Sequence, residues 1–234
     1  MWLITEYEAA SLFSLKHSIA TATGGTSLLT PTPFAVKMAL LDTACRLDGL
    51  VEAKALWPSI RDLRIAVSLA DYAVVTNLFQ KVLRPRRNAV PPATPDAGPF
   101  QRTIGYREYV QLTGTFGLAL EGELTEQIDR MTNLLLNVNY FGKRGGFVQL
   151  IATPQLTKEL PDHFVDLGVE QTTFALDGVM QVLDDCAPSV SFDQVNIFGG
   201  GKLRTGTDRI LRHIILPYRV ERSSRGYTLY RRVD

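Results

Sequence analysis

Asn139-Tyr140-Phe141-Gly142-Lys143-Arg144-Gly145-Gly146-Phe147-Val148-Gln149 separates a helix-like segment from a strand-like one. Before it, Ile128, Met131, Leu134, Leu135 and Val138 recur at helical spacing across residues 125–138. After it, residues 147–151 read as a strand. The stretch itself combines aromatics, adjacent cations and glycines. Glycine lets a backbone approach a ligand closely. Lys143 and Arg144 can neutralise phosphates, and Tyr140 and Phe141 can stack on unpaired bases. These are the parts of a single-stranded RNA site. The alternative is a glycine-rich turn whose aromatics cover the core.

Working outward, residues 2–7 read as a first strand and residues 18–30 as a polar loop rich in Ser, Thr, Gly and Ala. Thr32 is a plausible N-cap and Pro33 fits the first helical position, so a helix is expected through Met38, Leu41, Ala44 and Cys45 to a stop at Gly49. A shorter helix over 51–57 should end at Pro58. Strands are expected over 63–69, 72–83, 106–110 and 115–120. The clearest composition shift is the basic, Pro-rich stretch from Lys81 to Pro99, which reads as a mobile loop or the tip of a protruding hairpin. Without the excursion over 70–113, the order through residue 152 is strand, helix, strand, strand, helix, strand. That predicts an α+β chain whose first domain, residues 1–152, is ferredoxin-like (RRM-type). Its open sheet would be a candidate RNA platform. Residues 153–234 offer only short strand candidates, at 174–183, 195–198, 210–220 and 226–233, and are expected to form a smaller C-terminal β-rich domain.

Composition bounds the function. At 234 residues, with 45% hydrophobic and 21% charged residues, the chain has the balance of an ordinary globular protein with room for a sizeable core. A net charge of +1 means that a polyanion site must come from local clustering. The two cysteines, Cys45 and Cys186, form no CxxC pair or Cys/His cluster, so no metal is expected and both read as thiols of a reducing cytoplasm. No signal-peptide pattern and no apolar run of spanning length is visible, so no membrane association is expected.

Four further groups of residues fit an RNA site. Lys16 and His17 lead into a loop containing Gly25, Thr26 and Ser27, just before the helix start at Pro33. Glycine amides, hydroxyls and a helix N-terminus make a phosphate or ribose cradle; a capped helix after a polar loop is the plainer reading. Arg84, Arg86 and Arg87, with Arg102 and Arg107, flank the projecting element and could grip phosphate or stack on bases. They could equally serve solubility. Glu108 beside Arg107 reads as a surface ion-pair partner. Lys202 and Arg204 adjoin Gly199-Gly200-Gly201, either a mobile loop or a backbone lying against RNA. The tail carries Arg219, Arg222, Arg225, Arg231 and Arg232 interleaved with Tyr218, Tyr227 and Tyr230. It could face RNA, a neighbouring subunit or only solvent. Catalytic patterns such as HExxH, GxSxG and a P-loop are absent, and His17 is the one candidate for a general base.

Three motifs resemble a known family. Gly24-Gly25-Thr26-Ser27-Leu28-Leu29-Thr30-Pro31-Thr32-Pro33-Phe34-Ala35, Tyr106-Arg107-Glu108-Tyr109-Val110 and Tyr140 to Phe147 occur in the order found in the fifth family of CRISPR-associated (Cas) proteins, of the RAMP superfamily. The likeness covers residues 1–152 in order and the rest more loosely, and is closer to variants from archaeal-type type I systems. It implies a thumb hairpin inserted at about 70–113. It also implies a cytoplasmic ribonucleoprotein role in antiviral defence: a crRNA-binding subunit holding the crRNA 5′ handle at one end of the Cascade effector. Implied partners are crRNA, the backbone and large subunits and, within the complex, target DNA. No cofactor is implied. Most members are not enzymes, although one subtype's member cleaves precursor RNA. No match to a catalytic Tyr/Lys/His set is found here, so a non-catalytic subunit is expected. A metal-independent crRNA-processing endoribonuclease or a purely structural assembly subunit are the alternatives. The run from Gly199 to Gly206 resembles a RAMP glycine-rich loop but differs in spacing.

Overall fold

A computed structural model describes residues 1–16, 26–88, 90–94, 97–122, 127–143, 145–170 and 177–233. In chain order its elements are β1 (Trp2–Ala9), β2 (Leu15–Lys16), β3 (Ser27–Leu28), α1 (Pro33–Asp48), α2 (Leu50–Arg61), β4 (Arg64–Ser68), β5 (Tyr72–Pro85), β6 (Phe100–Thr113) and β7 (Thr115–Glu121). Then follow α3 (Ile128–Asn137), β8 (Val148–Thr157), β9 (Val165–Asp166), β10 (Val179–Cys186), α4 (Phe192–Val195), β11 (Arg209–Leu216), β12 (Tyr218–Ser223) and β13 (Tyr227–Arg232).

The chain is a mixed α/β protein with several antiparallel sheets and few helices. A five-stranded sheet has the order β8-β1-β7-β4-β9, with antiparallel pairing throughout. β1 alternates cleanly against β7, so Leu3 and Tyr7 face one side while Trp2, Ile4, Glu6 and Glu8 face the other. The Leu3 side is the core, shared with Ile65, Val67, Leu118 and Leu120 of the sheet and with Leu40, Trp57 and Leu134 of the three longer helices. Buried polar tips there are satisfied: the Tyr7 hydroxyl donates to Leu135 O (2.7 Å) and the Trp57 indole to Val190 O (2.8 Å).

The opposite face is partly covered. Leu160 and Phe164 pack over its Trp2–Ala66–Ala119 corner, and Glu6 and Glu8 are exposed on β1. The two carboxylates would repel phosphate at that end of the face, while Arg64 lies over the Trp2 ring at the other corner.

α1 begins as its sequence dictates: Thr32 caps it, its hydroxyl accepting from Ala35 N at 3.1 Å, and Pro33 opens it. α2 corrects the expectation of an end at Pro58, for it runs on to Arg61. Burial of Trp57 and Ile60 on either side of the proline holds the last turn in place. The strand expected at 195–198 is also corrected. Ser191 and Gln194 form a capping box, and the segment is a short helix followed by turns. No helix among the described residues is long and apolar enough to cross a membrane.

β5 and β6 form a hairpin in unbroken register from Tyr72↔Thr113 to Pro85↔Phe100. Its base is anchored by buried Ala73, Val75, Val110 and Leu112, and its outer half is exposed on both faces. β13 pairs with β5 and β12 with β13, giving a second sheet in the order β12-β13-β5-β6. β10 and β11 pair as a separate ribbon whose Leu183, Ile214 and Leu216 belong to the same core cluster as Leu3 and Tyr7. Acidic side chains tie this ribbon to α1: Asp185 of β10 pairs with Lys37 of α1.

Candidate nucleic-acid interface

The stretch after α3 is a tight turn pinned from both sides. Val148 N donates to Asn139 O (3.0 Å), Phe141 N to Gly146 O (3.1 Å) and Gly146 N to Lys143 O (3.1 Å). Gly142 (φ +73°) and Gly145 (φ +114°) take left-handed conformations that L side chains rarely adopt. The Ser11 hydroxyl donates to Gly145 O and accepts from Phe147 N at 2.9 Å. Phe141 is 3% exposed and meets Tyr7 edge-on, with ring centroids 5.5 Å apart. Its ring anchors the turn in the core, which corrects its expected position at the surface for base stacking. The surface aromatics of the turn are half-buried Tyr140 and exposed Phe147, paired across an isolated bridge. Phe147 was not singled out from the sequence; its place opposite Tyr140, the pairing rule of a strand ladder, is the signal that could have found it.

Above this turn the fold gathers cations from distant parts of the chain. Lys16 ends β2, Arg107 lies on β6 and Lys143 sits at the tip of the turn. The Lys143 ammonium is held below the ordinary lysine range, first by partial burial and then by repulsion from Arg107 and Lys16. None of the three pairs with a carboxylate among the described residues. Between Arg107 and Lys143 lies a cavity of about 170 Å³, also lined by Phe13, Tyr109 and Gly146. The strip through Phe13 is fixed on β6 by reciprocal bonds, Phe13 N to Val110 O (3.0 Å) and Val110 N to Phe13 O (2.7 Å). Positive charge without a carboxylate partner among the described residues, beside a small cavity with a tyrosine in its wall, is the kind of arrangement that attracts a phosphate.

The loop ahead of α1 is different. Ser27 is buried, its amide donates to Glu108 Oε2 (2.7 Å) and its hydroxyl accepts from Leu15 N (3.1 Å). Leu29 N donates to Gln181 Oε1 at 2.9 Å. Two of the amides that could cradle a phosphate, those of Ser27 and Leu29, are therefore engaged within the protein, while Thr26 is exposed. Glu108 is likewise no partner of Arg107, because adjacent residues of β6 point to opposite faces. His17, Gly25 and Arg144 lie outside the described residues.

The hairpin arginines do not form one patch. Arg84 pairs across from Gln101 and Arg102 from Leu83, so the two lie on opposite faces, with Arg84 on the Arg107 face. Arg86 closes the hairpin end, its amide donating to Pro99 O (2.9 Å) and its Nε to Phe100 O (3.1 Å), while Arg87 is exposed. Lys202 is exposed, and Arg204 pairs with Asp208 (3.3 Å), whose carboxyl is held below its usual range by the Arg204 amide and guanidinium. The adjacent glycines serve the loop itself. Gly200 has φ +73°, and a Cβ on Gly201 would lie 2.3 Å from Asp193 O.

No family model matches the chain. Over 212 residues, spanning 89% of this chain and 90% of the relative, it is 20% identical to the CRISPR-associated protein Cas5 of Archaeoglobus fulgidus. Among solved structures it is similar to a CRISPR protein from Archaeoglobus fulgidus, with 12% identity, coverage of 100% and 92% of the two chains and a TM-score of 0.47. It is also similar to a chain of a CRISPR RNA-guided surveillance complex, with 14% identity, coverage of 92% and 90% and a TM-score of 0.49. The likeness to the fifth family of CRISPR-associated proteins, first carried by three short motifs, thus extends over nearly the whole chain.

Proposed function

We propose that this chain is a non-catalytic, crRNA-binding subunit of a type I CRISPR Cascade, holding the crRNA 5′ handle and capping one end of the assembly. The observation that carries the reading is the cluster of Lys16, Arg107 and Lys143, three cations without a carboxylate partner among the described residues, gathered beside the turn after α3. A ferredoxin-like frame is supported by the order β8-β1-β7-β4, in which the fourth, first, third and second strands of a strand–helix–strand–strand–helix–strand chain lie side by side. A thumb role for the β5–β6 hairpin is supported by its projection from the core and by Arg84 on the Arg107 face. The partners proposed, crRNA with the backbone and large subunits, are those the resemblance to the fifth family of Cas proteins implies, a resemblance supported by the Cas5 relative.

The experiment is to purify the chain alone and with the products of neighbouring genes, then extract and sequence the bound RNA. A short RNA with one common 5′ end, lost when Lys16, Arg107 and Lys143 are replaced, is the expected result. Recovery of an intact assembly without RNA dependence on these residues would move the chain to a scaffold role. Cleavage of precursor RNA by the purified chain without metal would overturn the non-catalytic reading.

A further inference from the structure

The second sheet has a face that the handle site leaves unused. Residues directly opposite one another in antiparallel strands share a face, and the register fixes which do. Arg219 lies opposite Arg231, Arg231 opposite Tyr72 and Tyr72 opposite Thr113. Two residues along, Leu229, Val74 and Gln111 form the next row; then come Tyr227, Thr76 and Tyr109, and then Leu78 beside Arg107. The interleaved residues, among them Ala73, Val75, Val110 and Leu112, are buried, so the row containing the tyrosines is the outward face. Tyr72, Tyr109 and Tyr227 are half-buried there, with solvent over them.

This face differs in kind from that of the first sheet. The first presents Glu6 and Glu8, whereas the second presents tyrosines bracketed by arginines. One end is Arg107, in the cavity wall it shares with Tyr109 and Lys143. The other is a cavity of about 520 Å³ lined by Tyr72, Arg219, Arg231, Arg232 and Asp71. Six residues of β6 separate the ends, about 20 Å at ~3.4 Å per residue. Like charges placed directly opposite in a sheet repel. Arg231 is partly relieved by Glu221 (3.4 Å) and Arg232 by Asp71 (3.2 Å), but no carboxylate among the described residues pairs with Arg219. An arrangement that costs the free fold something is explained by an anion that bridges the pair.

We propose that the outward face of the β12-β13-β5-β6 sheet is a second single-stranded RNA track, on which Tyr109, Tyr227 and Tyr72 support bases and the Arg219–Arg231 pair grips a phosphate about 20 Å from the Lys16–Arg107–Lys143 cluster. It rests on the reading that the chain binds RNA and extends the bound segment beyond the first cluster. Stacking on tyrosine tolerates any base, so this track holds the strand without reading its sequence.

The test measures binding of oligouridylates of about four and about twelve nucleotides by the full chain, by an Arg219→Ala/Arg231→Ala variant and by a Lys16→Ala/Arg107→Ala/Lys143→Ala variant, across a salt series. The parent should bind the longer RNA more tightly. The arginine-pair variant should lose about tenfold on the longer RNA, with its salt slope shallower by about 0.7 for the one phosphate released, and bind the shorter one as the parent does. Its thermal midpoint should be unchanged or raised, since a repulsive pair has been removed. Equal affinity and slope for the longer RNA in parent and arginine-pair variant would overturn the track and leave this face to an acidic protein partner. The triple variant reports separately on the first cluster: unchanged binding of the shorter RNA would overturn that cluster's role without touching the longer-RNA comparison. Failure of the parent to bind either RNA at low salt would overturn both.

Discussion

Lys37 on α1 and Asp185 on β10 form a buried ion pair, Nζ to Oδ1 2.5 Å, with side chains only 2% and 8% exposed. Asp185 also accepts from Arg212 Nη1 at 2.8 Å and from the Cys186 amide at 2.7 Å, so both oxygens of its carboxylate are engaged. The neighbouring Asp184 pairs with Arg209, whose guanidinium lies 4.2 Å over the Phe34 ring. Through these charges the β10–β11 ribbon is fixed to the first two turns of α1. Removing Asp185 strands a buried ammonium, whereas removing Lys37 leaves Asp185 with Arg212. Asp185→Ala should therefore cost about 3–5 kcal/mol and Lys37→Met clearly less. Urea unfolding of the two variants checks the order; the reverse order would show that Lys37 is not held chiefly by Asp185.

Phe141 separates stability from binding. Its ring fills the core between Tyr7 and Phe116, so Phe141→Ala should destabilise by about 3–5 kcal/mol. A Phe141→Leu variant keeps much of the volume and should bind RNA with the parent's affinity. A large loss of affinity in a folded Phe141→Leu protein would return the ring to the binding surface.

Lys143 gives the proposed RNA site a pH signature. Its pKa is lowered by burial and by Arg107 and Lys16, so it loses its proton at a lower pH than an ordinary lysine. RNA affinity should be complete below that lowered pKa and fall as pH rises through it. Lys143→Arg should keep the charge and extend binding to higher pH, and Lys143→Ala should flatten the salt slope by about 0.7. Anisotropy titrations against pH and salt read both; identical pH profiles for the parent and the arginine variant would contradict the role.

The cysteines should be slow to react. Burial pushes the Cys186 thiol up to about 12, and burial with Asp42 raises that of Cys45. At pH 8 the Cys186 thiolate fraction is on the order of 10⁻⁴, so alkylation there should require opening of the fold, while half-buried Cys45 is modified first. Mass spectrometry of a timed iodoacetamide reaction, with and without urea, checks this; rapid labelling of Cys186 in the native protein would contradict its burial.

Much of the frame was legible because its signals are local. Thr32 and Pro33 specify a helix start within a few residues, and the spacing of Ile128, Met131, Leu134 and Leu135 specifies the buried stripe of α3 without reference to distant chain. The hairpin over β5 and β6 and the tight turn at Gly142 and Gly145 also follow from nearby residues. Other features turn on which side a residue faces once strands pair. Neighbouring Arg107 and Glu108 part to opposite faces, one to a cationic cavity and one to the Ser27 amide. Phe141 enters the core while Phe147 stays out. The meeting of residues 16, 107 and 143, and the placing of β13 beside β5, depend on which strand edge is free to accept a distant partner. Sequence determines the period of each element, but long-range pairing alone decides which residues become neighbours, and for this protein those neighbours make the candidate sites.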